Sequence, residues 1–202
     1  MGGRYRDLLR CDVLLREFLE GRLKGLFVSS IEIERSENAL RVIIKTSRPG
    51  MLIGRSGEGA TKLRNDMMAF VKRRKLTDTV PELKLDIEEV RSPESNAAVV
   101  AQMVVEGIEK RMPFRRLLKQ TVEKVMANRD VGGVHVRLSG RLDGGDMARR
   151  EDSKRGRVPL QTFRADIDYA RATAHIPQGA IGIKVWIYKG EVFSENQGAK
   201  RL

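Results

Sequence analysis

One glycine-rich stretch, residues 48–58, constrains the fold of this chain more than any other part of the sequence. It places Gly54 and Gly57 on either side of Arg55 and Ser56, between an apolar turn and a long amphipathic run. Glycine lets the main chain turn tightly and lets a phosphate approach with no Cβ in the way, while a helix that follows presents free N–H groups. The stretch therefore predicts a main-chain clamp for a nucleic-acid backbone. A lone G-x-x-G pattern is common, so its surroundings must decide.

Hydrophobic periodicity around the loop predicts a small domain of helices and strands. Apolar residues at helical spacing predict a helix over residues 11–24, with Asp12 as its N-cap. Alternating residues predict a hairpin of two strands near 31–33 and 40–44, and a third strand over 83–87. One apolar turn precedes the loop and an amphipathic helix follows it.

The resulting order is helix, strand, strand, short helix, G-x-x-G loop, helix, strand, and it resembles the type II KH domain of bacteria. In KH domains this loop holds the backbone of about four nucleotides. The resemblance implies RNA binding by the loop and by the basic helix behind it. The expected RNA-binding residues are Gly54, Arg55, Ser56, Gly57, Arg64, Lys72 and Arg73.

The second half of the chain predicts two helices on a sheet. Ser92, followed by proline and glutamate, predicts a capped helix start, and Pro113 ends that helix before a second one from Phe114 to about Asn128. Period-two alternation predicts strands near 134–138, 165–169 and 181–187. The polar, glycine-rich stretch 140–156 predicts a loop with a short helix around 146–151.

The predicted fold class is therefore α+β with two domains. Residues 1–91 form a type II KH domain, and residues 92–193 form a C-terminal domain of two helices packed on a mainly antiparallel sheet. Residues 194–202 have almost no apolar content and are expected to be a mobile tail.

Charge indicates a polyanionic partner. The formal net charge is +12 and the pI is about 10.2, and residues 41–75 carry ten basic side chains against two acidic ones. On charge alone, a basic but otherwise ordinary protein is the alternative.

The single cysteine, Cys11, excludes an internal disulfide and is expected to be a small buried hydrophobe. No apolar run approaches the roughly 20 residues that span a bilayer, and no signal-peptide pattern opens the chain, so we expect a cytosolic protein.

The helix predicted from Phe114 carries three basic residues on one side. Arg115, Arg116 and Lys119 fall within an arc of about 100°, given about 100° of rotation per residue. Apolar residues occupy the other side. An ordinary solvated face is the alternative interpretation of such a set.

Six blocks of sequence resemble the small ribosomal subunit protein three family. They are residues 48–58, 87–91 with Pro93, 111–116 through Lys119, 139–142, 156–169 and 182–191. In that family the two domains lie in the head of the small subunit, and basic residues on the matching helix line the channel through which mRNA enters and help to unwind structured mRNA. The resemblance implies this role for Arg115, Arg116 and Lys119. It implies ribosomal RNA, mRNA and neighbouring head proteins as partners.

The sequence departs from the family at both ends, and its short tail lacks the long basic extension of some members. Family members usually carry a basic segment before the first helix, whereas this chain starts almost on that helix, so we expect a shortened form and leave the contacts of that segment open.

Other functions are weighed against this one. A KH-type assembly or transcription factor shares the first domain, and Asp166 with Asp168 on one strand face is the pattern of a two-metal nuclease, although ion pairing with neighbouring arginines explains it better. Residues 54–61 approach a P-loop, but Ala60 stands where the phosphate-binding lysine is needed. The strands at 40–46 and 83–90 lack the aromatics with which an RRM stacks bases, which counts against that alternative. We expect no enzyme, no cofactor, no metal and no membrane association.

Overall fold

Two hydrophobic cores form, one in each of the units Met1–Arg91 and Ser92–Leu202 into which the chain divides. The computed structural model describes residues 2–36, 39–73 and 82–193, so the tail predicted at 194–202 lies outside the described residues. Both units combine helices with a sheet, which confirms the α+β class. None of the helices described is long and apolar enough to cross a bilayer.

Within residues 2–36, 39–73 and 82–91, the first unit has three α-helices and three strands. In chain order they are α1 (Gly2–Arg22), β1 (Val28–Arg35), β2 (Ala39–Thr46), α2 (Pro49–Ile53), α3 (Glu58–Arg73) and β3 (Glu82–Glu89). The sheet order is β1-β2-β3, with β2 antiparallel to β1 and parallel to β3. The predicted element order and the hairpin are confirmed.

The predicted start of α1 is wrong. The helix begins at Gly2 rather than at residue 11, so Asp12 lies inside it and forms an ion pair with Arg35 of β1 instead of capping the N-terminus. Of residues 5–10 only Leu8 is partly buried, and burial becomes regular only from Cys11, which is itself buried as expected. Hydrophobic periodicity cannot indicate a helical segment that buries little of its surface.

The part of the second unit that the structure describes, residues 92–193, has two α-helices and four strands. They are α4 (Ala97–Glu109), α5 (Phe114–Met126), β4 (Gly133–Gly140), β5 (Arg149–Gly156), β6 (Ala165–Ile176) and β7 (Gly179–Glu191). Every pair in the sheet, ordered β5-β4-β7-β6, is antiparallel, and the helices pack on one face of it. The predicted architecture of two helices on a mainly antiparallel sheet is confirmed.

The predicted cap of α4 is wrong. Pro93–Ser95 forms one turn of 3₁₀ helix, and α4 starts at Ala97 after Asn96, whose side chain accepts hydrogen bonds from the N–H groups of Ala98 and Val99. Asn96 has the extended backbone of an N-cap residue, and its carbonyl side chain replaces the serine hydroxyl in that role.

The prediction of a loop with a short helix over residues 140–156 is also wrong for its second half. Residues 149–156 form strand β5, which pairs with β4 at the edge of the sheet, and a 3₁₀ turn lies earlier, at Leu142–Gly144. Strand β5 contains no apolar side chain, so it has no hydrophobic alternation. Its place is determined by the main-chain hydrogen bonds that β4 supplies, which side-chain periodicity does not indicate.

Candidate nucleic-acid interface

The loop between α2 and α3 has a backbone that requires its glycines. Gly54 has φ of 71° and ψ of −173°, a region open essentially to glycine alone, and Gly57 has φ of 80°. Ser56 between them is left-handed, with φ of 51°. Arg55 and Ser56 are exposed at the tip, and α3 begins at Glu58 directly after the loop. The geometry provides the tight, open turn that the sequence predicts.

A third glycine, Gly59, sets the distance between the two helices that carry the loop. A Cβ added there would lie 2.5 Å from the carbonyl oxygen of Leu52 and 2.9 Å from that of Ile53, both in α2. The first turn of α3 therefore rests directly on the end of α2. The sequence does not indicate this role, because spacing along the chain does not show which residues of α2 and α3 come into contact.

The loop is anchored to the sheet through Thr46, the last residue of β2. Its fully buried hydroxyl donates to the carbonyl of Leu26 at 2.7 Å and accepts from the N–H of Arg48 at 3.1 Å. The guanidinium of Arg48 lies 4.3 Å from the ring centre of Phe27, a cation–π distance. Arg48 is thus occupied within the fold, which leaves Arg55 as the arginine presented by the loop.

Lys62 is a further basic residue beside the loop that sequence analysis did not single out. It is exposed one turn into α3 and lines a shallow groove together with Ser56, Glu58 and Thr61. The sequence feature that could have indicated Lys62 is its position four residues after Glu58, on an otherwise polar face of the helix.

The three basic residues predicted on α3 do not form one surface. Arg64, Lys72 and Arg73 are all exposed. At about 100° per residue, Arg64 and Arg73 face opposite sides of the helix, and at about 1.5 Å per residue Lys72 lies about 20 Å along the axis from Glu58. Of the three, Arg64 is nearest to the loop.

The basic face of α5, defined as Arg115, Arg116 and Lys119, is fully presented to solvent. All three side chains are exposed, while Leu117, Leu118 and Val122 on the inner side are buried. Within the described residues, none of the three forms an ion pair, and only Arg115 has an aromatic neighbour, with its guanidinium 5.7 Å from the ring centre of Phe114. The structure therefore brings these three predicted residues together.

Two neighbouring cations of this unit pair with glutamates. Lys110 pairs with Glu106 one turn earlier in α4, and Lys124 lies 3.7 Å from Glu94. These two lysines therefore add less to the attraction for phosphate than the three residues of the basic face of α5, because a cation with a carboxylate partner attracts a phosphate less strongly.

Of the two aspartates considered for metal binding, Asp168 has a structural role. The carboxylate of Asp168 accepts from the N–H of Ala97 at the start of α4 and lies 3.2 Å from Nζ of Lys189. The register of β6 shifts between Asp166 and Ile167. In the described part of the chain no group of three or more His, Cys, Asp or Glu side chains is arranged to hold a metal ion.

Comparison with known proteins matches both units. Residues 14–95 match the family described as KH domain, and residues 104–187 match Ribosomal protein S3, C-terminal domain. The chain is 47% identical to small ribosomal subunit protein uS3 of Chromohalobacter salexigens over 94% of its own length and 78% of the relative's. It is 44% identical to the protein of the same name from Pseudomonas paraeruginosa, over 96% of this chain and 81% of the relative.

A third relative, small ribosomal subunit protein uS3 of Pseudomonas fluorescens, is 43% identical over 97% of this chain and 82% of its own length. These similarities extend over both units and include the G-x-x-G loop and α5. The family resemblance predicted from the six sequence blocks is confirmed. The chain belongs to the family of small ribosomal subunit protein uS3.

Proposed function

We propose that this chain is a non-enzymatic structural protein of the cytoplasmic ribosome's small subunit, with two RNA contacts of different kinds. The KH domain, residues 1–91, holds ribosomal RNA at the loop Gly54–Gly57. The C-terminal domain, residues 92–193, presents the basic face of α5 to mRNA entering the subunit, and neighbouring head proteins complete its surroundings. The match of residues 104–187 to the S3 C-terminal domain supports this function over an assembly or transcription factor, since a KH domain alone is common to both.

The observation that carries the mRNA contact is the basic face of α5 itself. Three exposed cations project from a helix whose other side is buried in the core, so their spacing is held by the fold. Cations at fixed spacing bind the phosphates of a single strand without reading its bases. They can keep the two strands of a hairpin apart while translocation pulls one of them, and this needs no nucleotide-hydrolysing site.

Replacing Arg115, Arg116 and Lys119 together with alanine tests the mRNA contact. We expect translation to slow through stable hairpins and to be nearly unchanged on unstructured messages, because only separated strands need the added phosphate contacts. For the isolated protein binding single-stranded RNA, a plot of log affinity against log salt concentration should become less steep by about 2. This corresponds to three lost phosphate contacts at about 0.7 each. The measurement is the elongation rate in a reconstituted translation system on matched messages with and without a hairpin.

A control for this variant is the triple change Lys84→Ala, Lys110→Ala and Lys124→Ala. It removes the same charge from exposed cations that already pair with glutamates. Equal slowing of structured and unstructured messages by the α5 variant, or equal effects of the two variants, would contradict the proposal.

Replacing Arg55 and Ser56 with aspartate tests the ribosomal RNA contact. Both residues are exposed, and aspartate tolerates the left-handed backbone of Ser56, so the fold should persist. We expect affinity for a fragment of small-subunit ribosomal RNA to fall about tenfold or more, since one charge-assisted hydrogen bond contributes about 1.5–3 kcal/mol. Filter binding with Arg16→Asp, an exposed change in α1, as the control measures this; affinity unchanged at an unchanged melting temperature would exclude the loop.

A further inference from the structure

The sheet of the second unit has an open face opposite its helices. Helices α4 and α5 cover the side of Val134, Val136 and Leu138, so the alternate residues of each strand lie on the other side. The register places twelve of these residues in three rows across the four strands. The rows are Arg150-Ser139-Gly182-Thr173, Asp152-Arg137-Lys184-Arg171 and Lys154-His135-Trp186-Tyr169. We call these twelve residues the open sheet face.

An aromatic stack crosses the last row. The rings of His135 and Trp186 are stacked with centres 4.9 Å apart and planes 20° apart, and the ring of Tyr169 follows, tilted by 38° to that of Trp186 with centres 5.3 Å apart. These distances match the spacing of adjacent strands, about 4.8 Å, so each strand contributes one ring. The stack ends at Tyr169 on the edge strand β6, where 47% of the residue is exposed. The outer face of this ring can take one more planar group.

The neighbouring row concentrates positive charge. Arg137, Lys184 and Arg171 stand directly opposite one another on three adjacent strands, an arrangement that is unfavourable without an anion. The open sheet face holds five cations and a single carboxylate, Asp152. That carboxylate is held by His135 at 3.0 Å and Arg137 at 3.4 Å, and the hydrogen bond from His135 lowers its pKa.

Stacking rings beside an excess of cations over carboxylates match the chemistry of a single-stranded nucleic acid. Adjacent rows on one strand face are about 7 Å apart, comparable with the separation of a nucleobase from its own phosphate. Protein interfaces, by contrast, are depleted of lysine at their centre, which here is occupied by Lys184. We propose that the open sheet face binds single-stranded RNA, with a base stacked on Tyr169 and the backbone along Lys184 and Arg171.

This surface is distinct from both the loop at Gly54–Gly57 and the basic face of α5. It was not predicted from the sequence, because the aromatics lie on different strands and become neighbours only through the register of the sheet. The chain contains one tryptophan, Trp186, so the proposed site carries its own fluorescent reporter.

The test titrates the full chain with dodecauridylate and follows Trp186 emission together with the anisotropy of the labelled RNA. We expect RNA to change the emission, and Tyr169→Ala to weaken the affinity detected by emission about tenfold, as for loss of one stacked base. Tyr169→Phe should preserve that affinity because the ring remains. Arg171→Ala should weaken binding and reduce its salt dependence.

Two controls locate the effect. Tyr5→Ala removes a tyrosine that is 70% exposed in α1 and should leave the emission-detected affinity unchanged. The emission change should persist when Arg55 and Ser56 are aspartate, or when the basic face of α5 is alanine. The proposal is overturned if saturating RNA binding by anisotropy leaves Trp186 emission unaltered, which would indicate a protein partner for this face, or if Tyr169→Ala behaves like Tyr5→Ala.

Discussion

Replacing Gly133 with alanine is expected to lower the free energy of unfolding of the second unit by roughly 3 kcal/mol or more, the upper end of the overpacking range. A Cβ at this position would lie 2.6 Å from the backbone nitrogen of Arg157 and closer still to its carbonyl oxygen. The clash is with main chain rather than with the end of a flexible side chain. It can be relieved only if the start of β4 separates from the segment that leaves β5.

A urea titration followed by Trp186 emission measures this change, because the tryptophan lies in β7 of the same unit. With a slope of about 2 kcal/mol per molar urea, the midpoint should fall by about 1.5 M. Gly145→Ala is the matched control: a Cβ there comes no closer than 3.5 Å to the nearest atom outside its neighbours. The prediction is contradicted if the midpoint for Gly133→Ala lies within 0.3 M of that control, a difference of roughly 0.6 kcal/mol. The backbone around Gly133 and Arg157 would then accommodate the methyl group without loss of stability.

Gly59→Ala is expected to have the second largest effect, because it acts on stability and on the RNA clamp together. The added methyl group would push against the carbonyl oxygens of Leu52 and Ile53, so α2 and α3 must move apart. We expect about 2 kcal/mol of destabilisation. We also expect at least a tenfold loss of affinity for a ribosomal RNA fragment, since the loop loses one of its two fixed ends.

Hydrogen exchange of the amides in residues 49–63, combined with filter binding, separates the two effects. The control is Gly50→Ala in α2, where an added Cβ meets nothing within 4 Å. Rapid exchange confined to this segment, with protection of β1 and β2 retained, is the expected pattern. Full affinity for RNA together with native protection would show that helix spacing does not control the loop.

The parts of the fold that were predictable from sequence are those with one buried side. Strands β2, β4 and β7 alternate buried and less buried residues, and α5 separates apolar from basic residues, so periodicity indicates all of them. Strand β5 has no buried residue along its length, so periodicity does not indicate it. Residues 5–10 of α1 also bury little, so periodicity does not indicate that part of the helix.

The candidate sites divide in the same way. Local sequence was sufficient for Gly54, Gly57 and the basic face of α5, because backbone conformation and helical spacing depend on near neighbours. It was insufficient for Gly59, whose contact lies in another helix, and for the open sheet face, whose members belong to four strands. Sequence spacing also grouped Arg64 with Arg73, which the helical rotation places on opposite sides.

The position of β7 has a consequence for synthesis of the chain. It is the last described strand in sequence, yet it lies inside the sheet between β4 and β6. Until the residues up to Glu191 have left the translating ribosome, β4 lacks the partner with which it makes seven register pairs, and the core lacks Ile183, Val185 and Ile187. The β6-β7 hairpin, closed by the turn at Pro177 and Gln178, can form locally, but the sheet is completed only when this hairpin joins β4. The second unit therefore remains incomplete until nearly all of the described chain has emerged.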